Sequence, residues 1–145
     1  MPGPPKLLLL AIGAMVVLAL LLPGPAALPP AFRLLALIPL GAGIALNLLS
    51  DRAFRLAGTT VKPFLPSTAL VTDGVFRLTR NPMYLGFVLL LVGLWLALSA
   101  LTPGLVVVLF AVLIDRYFIE PEEEKLSWTF GGAYQAYRDR VRRWI

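Results

Sequence analysis

Four apolar segments constrain the fold of this chain more than any other feature; they lie at about 7–22, 31–49, 82–101 and 103–119. Each approaches the roughly 20 residues that an α-helix needs to cross a bilayer. Hydrophobic residues make up 59% of the 145 residues and charged residues only 14%, a balance that favours a lipid environment. We therefore expect one all-α, integral membrane domain over residues 1–145, with four transmembrane helices.

The basic residues indicate which side of the membrane each connection faces. The loop 50–81 and the tail from Asp115 onward carry most of the 13 Lys and Arg residues, whereas the connections 23–30 and 99–104 carry none. Because positively charged loops stay on the cytoplasmic side, we expect both termini and the loop to be cytoplasmic. The net charge of +5 follows this topology rather than a binding groove, so no nucleic-acid partner is expected.

The first apolar segment has an alternative interpretation. Small residues follow it in "LPGPAALPPA", as they do at the cleavage site of a signal peptide. Its basic n-region is weak, and cleavage would leave three crossings and upset the charge asymmetry. We therefore expect a retained transmembrane helix.

The loop, the third segment and the tail contain local structural signals. Asn81 and Pro82 predict the N-cap and first turn of the third helix, and "TDGVF" predicts a turn. Gly86 and Gly93 share one helix face and predict close helix packing. In the tail, an apolar and aromatic stripe at helical spacing predicts an amphipathic helix, bent near the glycine pair 131–132. The members of this stripe are Leu126, Phe130, Tyr134, Tyr137, Val141 and Trp144.

The chain contains no Cys and no His. A disulfide is therefore excluded, and no metal site of the usual zinc or haem type is expected. The commonest general base is also missing, so any base would have to be Glu, Asp, Tyr or Lys.

Two separated stretches together resemble a known family. The segment "LVTDGVFRLTRNPMYLG" is similar to the L-V-x-x-G-x-[YF]-x-x-x-R-[HN]-P-x-Y-x-G segment of isoprenylcysteine carboxyl methyltransferases and their bacterial relatives, and "PEEEKLSWTFGGAYQAYRDRVRRWI" resembles their tail. The resemblance covers about 59–145, which would be the catalytic portion. It implies S-adenosylmethionine as cofactor, a bacterial inner membrane as location, and a cytoplasmic cofactor site between the loop and the tail helix.

Carried over by position, the resemblance implies two sets of site residues. In the catalytic set, the resemblance places Arg116 toward the substrate. Glu123 belongs to this set on chemical grounds, because it or Tyr84 could assist the deprotonation of an amine or thiol acceptor. Asn81 stands where the eukaryotic enzymes have His, so this position cannot act as a base here. The cofactor-binding set is Thr68, Ala69, Leu70, Val71, Phe76, Asn81, Pro82, Met83, Tyr84 and Glu122.

The chemistry of these residue types agrees with the implied cofactor. Carboxylates such as Glu122 accept strong hydrogen bonds from ammonium or ribose groups, and aromatic rings offer stacking and cation–π faces. Methylation of a carboxylate needs no base, because that nucleophile is already ionised at neutral pH; proximity and orientation would then carry catalysis. The expected acceptor is small or lipidic and partitions into the membrane. An isoprenylcysteine-type carboxylate is favoured, and a phospholipid amine or a thiol is left open.

Plainer interpretations of the same residues stay open. Pro121 and the three carboxylates after it also fit the first turn of a new helix, and the aromatic stripe also fits a helix that lies on the membrane surface among lipid headgroups. The chain would then be a non-enzymatic membrane scaffold or a transporter subunit. A second copy could complete the site of so small a protein, so an oligomer is also left open.

Overall fold

The protein is helical, without strands, over the residues that the structure, a computed structural model, describes: 2–59 and 67–145. The α-helices are α1 (Pro4–Leu21), α2 (Leu37–Leu56), α3 (Pro82–Leu98), α4 (Pro103–Ile114), α5 (Glu120–Phe130) and α6 (Gly132–Arg140). Short 3₁₀ segments at Pro30–Ala36 and Gly74–Arg77 precede α2 and α3, and a π-helical turn at Asp115–Ile119 joins α4 to α5. The centre of the predicted cytoplasmic loop, with Lys62, lies outside the described residues.

Two helical stretches are long and apolar enough to cross a membrane. They are α1 and the continuous stretch Pro30–Leu56, which contains α2. The apolar α3 is shorter, at 17 residues; it rises about 26 Å, slightly less than the roughly 30 Å of a bilayer hydrocarbon core. These helices support the predicted membrane location, while the number of crossings stays a prediction.

The α2 helix extends past its predicted end at Leu49. It continues to Leu56, and an ion pair between Arg55 and Asp51, 2.7 Å apart and one turn apart on the helix, supports its last turn. Gly58 follows with a φ of +64°, a conformation that stops a helix and costs glycine little. The polar loop is therefore shorter than the sequence indicated.

Helices α2 and α3 cross at two glycines, as the small residues predicted. A Cβ atom placed on Gly43 would lie 2.7 Å from the carbonyl oxygen of Gly86, and one placed on Gly86 would overlap the side chain of Asn47. The missing side chains let the two backbones touch. Farther along α3, Gly93 lies against Leu40 in the same way.

The proline-rich connection after α1 is held against the turn between α3 and α4. Ser99 adopts a left-handed conformation there, with φ +51°. Its hydroxyl donates to the carbonyl of Leu28 at 2.7 Å, and the amide of Leu101 donates to the carbonyl of Pro25 at 3.0 Å. The two basic-free connections thus form a single surface at one end of the bundle.

The fourth predicted span, 103–119, is not followed by a separate helix that begins at Pro121. The chain stays helical from α4 through the π turn into α5, and Pro121 lies within the first turn of α5. The wider π turn just before it accommodates a residue that has no N–H to donate. The predicted break in the tail is present: Gly131, with φ +52°, separates α5 from α6.

Two packed clusters divide the molecule. One lies within the bundle of α1, α3 and α4 and includes Met15, Leu91 and Phe110. The other lies beyond the ends of α2 and α3 and is built around Phe76 and the buried tyrosines of α6. The α5 helix runs between them, so its side chains face the gap between the clusters.

Candidate active site

The gap between the two clusters encloses a cavity of about 470 Å³, within the roughly 300–1,000 Å³ that is usual for small-molecule sites. The start of α3 and one face of α5 form its centre. The segment before α3, the end of α2 and helix α6 form one end, and Phe87 of α3 with Pro4 and Pro5 of α1 forms the other. The cavity therefore reaches from the polar loop to the first membrane-length helix.

Most of the predicted cofactor-binding residues meet at this cavity. Thr68 is the exception: it is exposed and does not line the cavity, and its hydroxyl donates to the carbonyl of Gly58 at 3.4 Å. The predicted residues that do line it are Ala69, Leu70, Val71, Phe76, Asn81, Pro82, Met83, Tyr84 and Glu122. The structure thus brings together two stretches that lie about 40 residues apart in the chain.

A hydrogen bond between Tyr84 and Glu122 joins the two motifs. The Tyr84 hydroxyl donates to Glu122 Oε1 at 2.7 Å. Burial raises the pKa of the Glu122 carboxyl above its ordinary value, although the hydrogen bond from Tyr84 and the charge of Lys125 oppose this shift. The carboxyl of Glu122 therefore gains its negative charge at a higher pH, closer to neutrality, than an exposed carboxyl does.

The neighbouring Glu123 is buried and already paired with two guanidinium groups. Arg80 donates to its Oε1 from Nε at 3.0 Å, and Nη2 of Arg80 forms an ion pair with the same oxygen at 2.9 Å. Arg143 donates to its Oε2 at 3.0 Å. The Asn81 amide adds a long contact of 3.4 Å. Both carboxylate oxygens of Glu123 are therefore occupied by guanidinium groups. This geometry favours a structural role for Glu123 over the predicted catalytic one.

The last residues of the chain are held against the central motif by backbone groups. The backbone carbonyl of Arg143 accepts a hydrogen bond from the hydroxyl of Thr79 at 2.9 Å and another from the side-chain amide of Asn81 at 3.2 Å. The amide of Arg80 donates to the carbonyl of Arg142 at 2.9 Å. In the π turn, Asp115 accepts from the indole of Trp144 at 3.0 Å. Asn81 thus lies at the predicted N-cap, but its side chain binds the tail instead of capping α3.

Arg116 does not line the cavity, so its predicted position at the substrate stays a prediction. Its side chain is 67% exposed and pairs with Glu120 at 3.0 Å, one helical turn away on the same side. The predicted catalytic role of Arg116 gains no support from the geometry.

The sequence interpretation missed several cavity residues as site residues. Tyr134 and Tyr137 belong to the predicted apolar and aromatic stripe, yet both line the cavity and are buried. The Tyr137 hydroxyl donates to the carbonyl of Phe76 at 2.7 Å, whereas the Tyr134 hydroxyl has no hydrogen-bond partner among the described residues. The helical spacing of an aromatic stripe does not distinguish a tyrosine that packs from one that binds. Other unassigned lining residues are Phe54, Arg80, Lys125, Leu126, Trp128 and Thr129.

The composition of the walls fits S-adenosylmethionine. Aromatic rings stand at one end, where Phe54 and Phe76 meet edge to face at 5.2 Å, and they suit a planar purine. The carboxylate of Glu122 suits an ammonium or a ribose hydroxyl. The buried, unpaired hydroxyl of Tyr134 offers a further hydrogen bond. The residues present therefore fit the cofactor that the resemblance implied.

Comparison with known proteins agrees with the motifs. Residues 32–133 match the family model described as phospholipid methyltransferase. The chain is 35% identical over 75 residues to protein-S-isoprenylcysteine O-methyltransferase of Schizosaccharomyces pombe, which is 50% of this chain and 30% of that protein. It is 39% identical over 75 residues to protein-S-isoprenylcysteine O-methyltransferase B of Arabidopsis thaliana, 50% of this chain and 36% of that protein. An uncharacterised protein of Haemophilus influenzae is 38% identical over 65 residues, 43% of this chain and 100% of that protein.

The chain therefore belongs to the phospholipid methyltransferase family. The predicted relationship to isoprenylcysteine methyltransferases is confirmed by the relatives of that name. The matched segment spans about a third of the length of those two relatives, 30% and 36% respectively.

Proposed function

We propose that this protein is an integral membrane methyltransferase that uses S-adenosylmethionine to methylate a lipidic acceptor. Bound in the cavity, the cofactor would supply a methyl group on a positively charged sulfur. The acceptor would enter from the bilayer, where α1 and α3 contribute apolar cavity walls.

The observation that carries this proposal is the direct contact between Tyr84 and Glu122. It joins the two family motifs at 2.7 Å within a cavity lined by nine of the ten residues expected to bind the cofactor. A scaffold would have no need to assemble these particular groups around an open volume. The arrangement instead resembles a binding site whose two walls come from separate helices.

The residues of the chain divide the work between binding and positioning. Glu122 offers the carboxylate that binds the cofactor, and Tyr84 orients that carboxylate. Arg80, Glu123 and Arg143 fix the start of α3 against α5, so that the cavity walls keep their spacing. Met83 and Phe87 supply an apolar surface toward the membrane-length helices. In such a site, holding the acceptor in line with the methyl group is the main source of rate.

The favoured acceptor is anionic, as in the carboxylate of an isoprenylcysteine. The chain has no His, and both oxygens of Glu123 already accept hydrogen bonds from arginines, so the cavity has few groups that could take a proton from an amine or thiol. An ionised carboxylate needs no such group. Phosphatidylethanolamine remains the second acceptor to assay, because the family model that matches the chain is that of phospholipid methyltransferases.

The test is isothermal titration of S-adenosylhomocysteine into the detergent-purified full chain. Glu122→Ala should weaken binding by about tenfold or more, because a hydrogen bond to a charged group contributes about 1.5–3 kcal/mol. Glu124→Ala is the matched control: Glu124 is an exposed neighbour on the same helix that does not line the cavity, and its loss should leave binding unchanged.

A second variant separates binding from folding. Glu122→Gln keeps an acceptor for the Tyr84 hydroxyl while removing the charge, so it should fold normally and still bind weakly. Absence of binding by the unmodified protein, in detergent and in lipid nanodiscs alike, would contradict the proposed function. Equal losses in Glu122→Ala and Glu124→Ala would place the ligand elsewhere.

A further inference from the structure

The hydroxyl of Tyr134 is an unusual feature of the cavity. The residue is only 1% exposed, yet its hydroxyl has no hydrogen-bond partner within the described ranges. Burying a hydroxyl without a partner costs free energy, and buried polar side chains are almost always paired. Tyr134 also lines the cavity, so a molecule bound there can supply the missing partner.

The surroundings of Tyr134 define the chemistry of that molecule. Its ring lies 6.1 Å from that of Tyr137, in the same packed cluster as Phe76. Phe76 in turn meets Phe54 edge to face, and all four rings line the cavity. This aromatic end, defined by Phe54, Phe76, Tyr134 and Tyr137, suits a flat, electron-rich ring.

The protonation state of Tyr134 makes it a donor. Burial, together with the charge of Glu123, raises the pKa of Tyr134 to about 12. The hydroxyl therefore stays protonated at neutral pH and can donate a hydrogen bond to a ring nitrogen or a ribose oxygen. The opposite end of the cavity, with Pro4, Met83 and Phe87, offers mainly apolar surface.

We propose that the Tyr134 hydroxyl donates a hydrogen bond to the nucleoside part of the cofactor, which lies at the aromatic end of the cavity. This inference rests on the proposed function and adds an orientation to it. With the nucleoside at the aromatic end, the remainder of the cofactor extends toward Glu122, and the acceptor occupies the end next to α1 and α3. Tyr134 then helps to select an adenosyl ligand.

The test compares two tyrosines that differ in their internal bonding. Tyr134→Phe removes a hydroxyl with no internal partner, so the ligand-free protein should unfold at the same temperature as the unmodified protein or slightly above it. Tyr137→Phe removes the donor to the Phe76 carbonyl and should lower that temperature. Adenosine and S-adenosylhomocysteine are then titrated into the unmodified chain and into Tyr134→Phe.

Tyr134→Phe should lower the affinity for both ligands by a similar factor of about three to ten, which is the contribution of one neutral hydrogen bond. Unchanged affinity for both ligands would overturn the inference while leaving the proposed function intact. A loss for S-adenosylhomocysteine alone would place Tyr134 at the amino-acid part of the cofactor and overturn the nucleoside assignment. A ligand-free loss of stability equal to that of Tyr137→Phe would reveal an internal partner and also overturn it. If the unmodified protein bound neither ligand, the proposed function and the inference would fail together.

Discussion

Single residues in the central motif serve two different purposes. In "TRNPMY", Thr79, Arg80 and Asn81 bind the tail of the chain and Glu123, whereas Tyr84 orients Glu122 within the cavity. The polar groups at this edge of the bundle therefore form hydrogen bonds and ion pairs with one another. Removing one member of a buried charge pair typically costs about 3–5 kcal/mol, so substitutions of Arg80 or Glu123 are poor probes of chemistry. Glu122 is the better probe.

At this scale the raised pKa of Glu122 predicts how ligand binding depends on pH. Burial favours the neutral carboxyl, so the group takes up its proton at a higher pH than the ordinary value of about 4.3. A ligand that carries an ammonium binds the ionised form. Its affinity is therefore fully present above the raised pKa and is lost as the pH falls through it. Titration of S-adenosylhomocysteine from neutral pH downward measures this, with Glu122→Gln as the control that should show no such loss in that window. A pH-independent affinity in the unmodified protein would contradict the prediction.

The helices show what the sequence could predict and what it could not. The apolar segments, the turn at "TDGVF" and the break at Gly131 follow from composition and local chemistry, and the structure has all three. The extension of α2 past Leu49 has local signals, the pair of Asp51 and Arg55 and the stop at Gly58, that the apolar pattern does not register. The π turn before Pro121 is held at Asp115 by Arg143 and Trp144, about 30 residues farther along the chain, so no local pattern indicates it. The same limit applies to the site. The motif resemblance found Tyr84 and Glu122. It suggested Arg116 only by its place near the end of the last apolar segment, which does not determine the helix face on which Arg116 lies.

Helix packing at the glycine crossing gives an element-scale prediction. A methyl group at position 86 would overlap Asn47 and approach the carbonyl of Gly43 to 2.9 Å, so Gly86→Ala should force α2 and α3 apart and cost about 1–3 kcal/mol. Gly41→Ala is the matched control on α2, because nothing lies within 4 Å of the added atom; it should be neutral or slightly stabilising. Thermal unfolding in detergent compares the two. Equal unfolding temperatures for both variants would show that the helices do not depend on this contact.

The whole molecule separates its charges from its membrane surface. The outer faces of α1 and α2 are exposed and apolar, as expected for helices that contact lipid. The cavity, the arginine-rich tail and the π turn lie together at one end of the helix bundle, opposite to the turn around Ser99. The positive charge and the candidate active site therefore share one end of the bundle. A soluble cofactor could reach that end from water while an apolar acceptor approached it along the helices.

This arrangement predicts a sidedness that can be measured directly, because the chain has no Cys and single cysteines can be introduced freely. Ala26 lies on the basic-free connection and Ala136 on α6, and both are small and exposed, so Ala26→Cys and Ala136→Cys form a matched pair. If positively charged segments stay inside, a membrane-impermeant maleimide added to intact spheroplasts should label Ala26→Cys at once. It should label Ala136→Cys only after permeabilisation. The reverse pattern would place the tail and the cavity outside, away from the cytoplasmic supply of S-adenosylmethionine. Labelling of both cysteines in intact spheroplasts would contradict the odd number of crossings, three, that is predicted between them and require the number of spans to be revised.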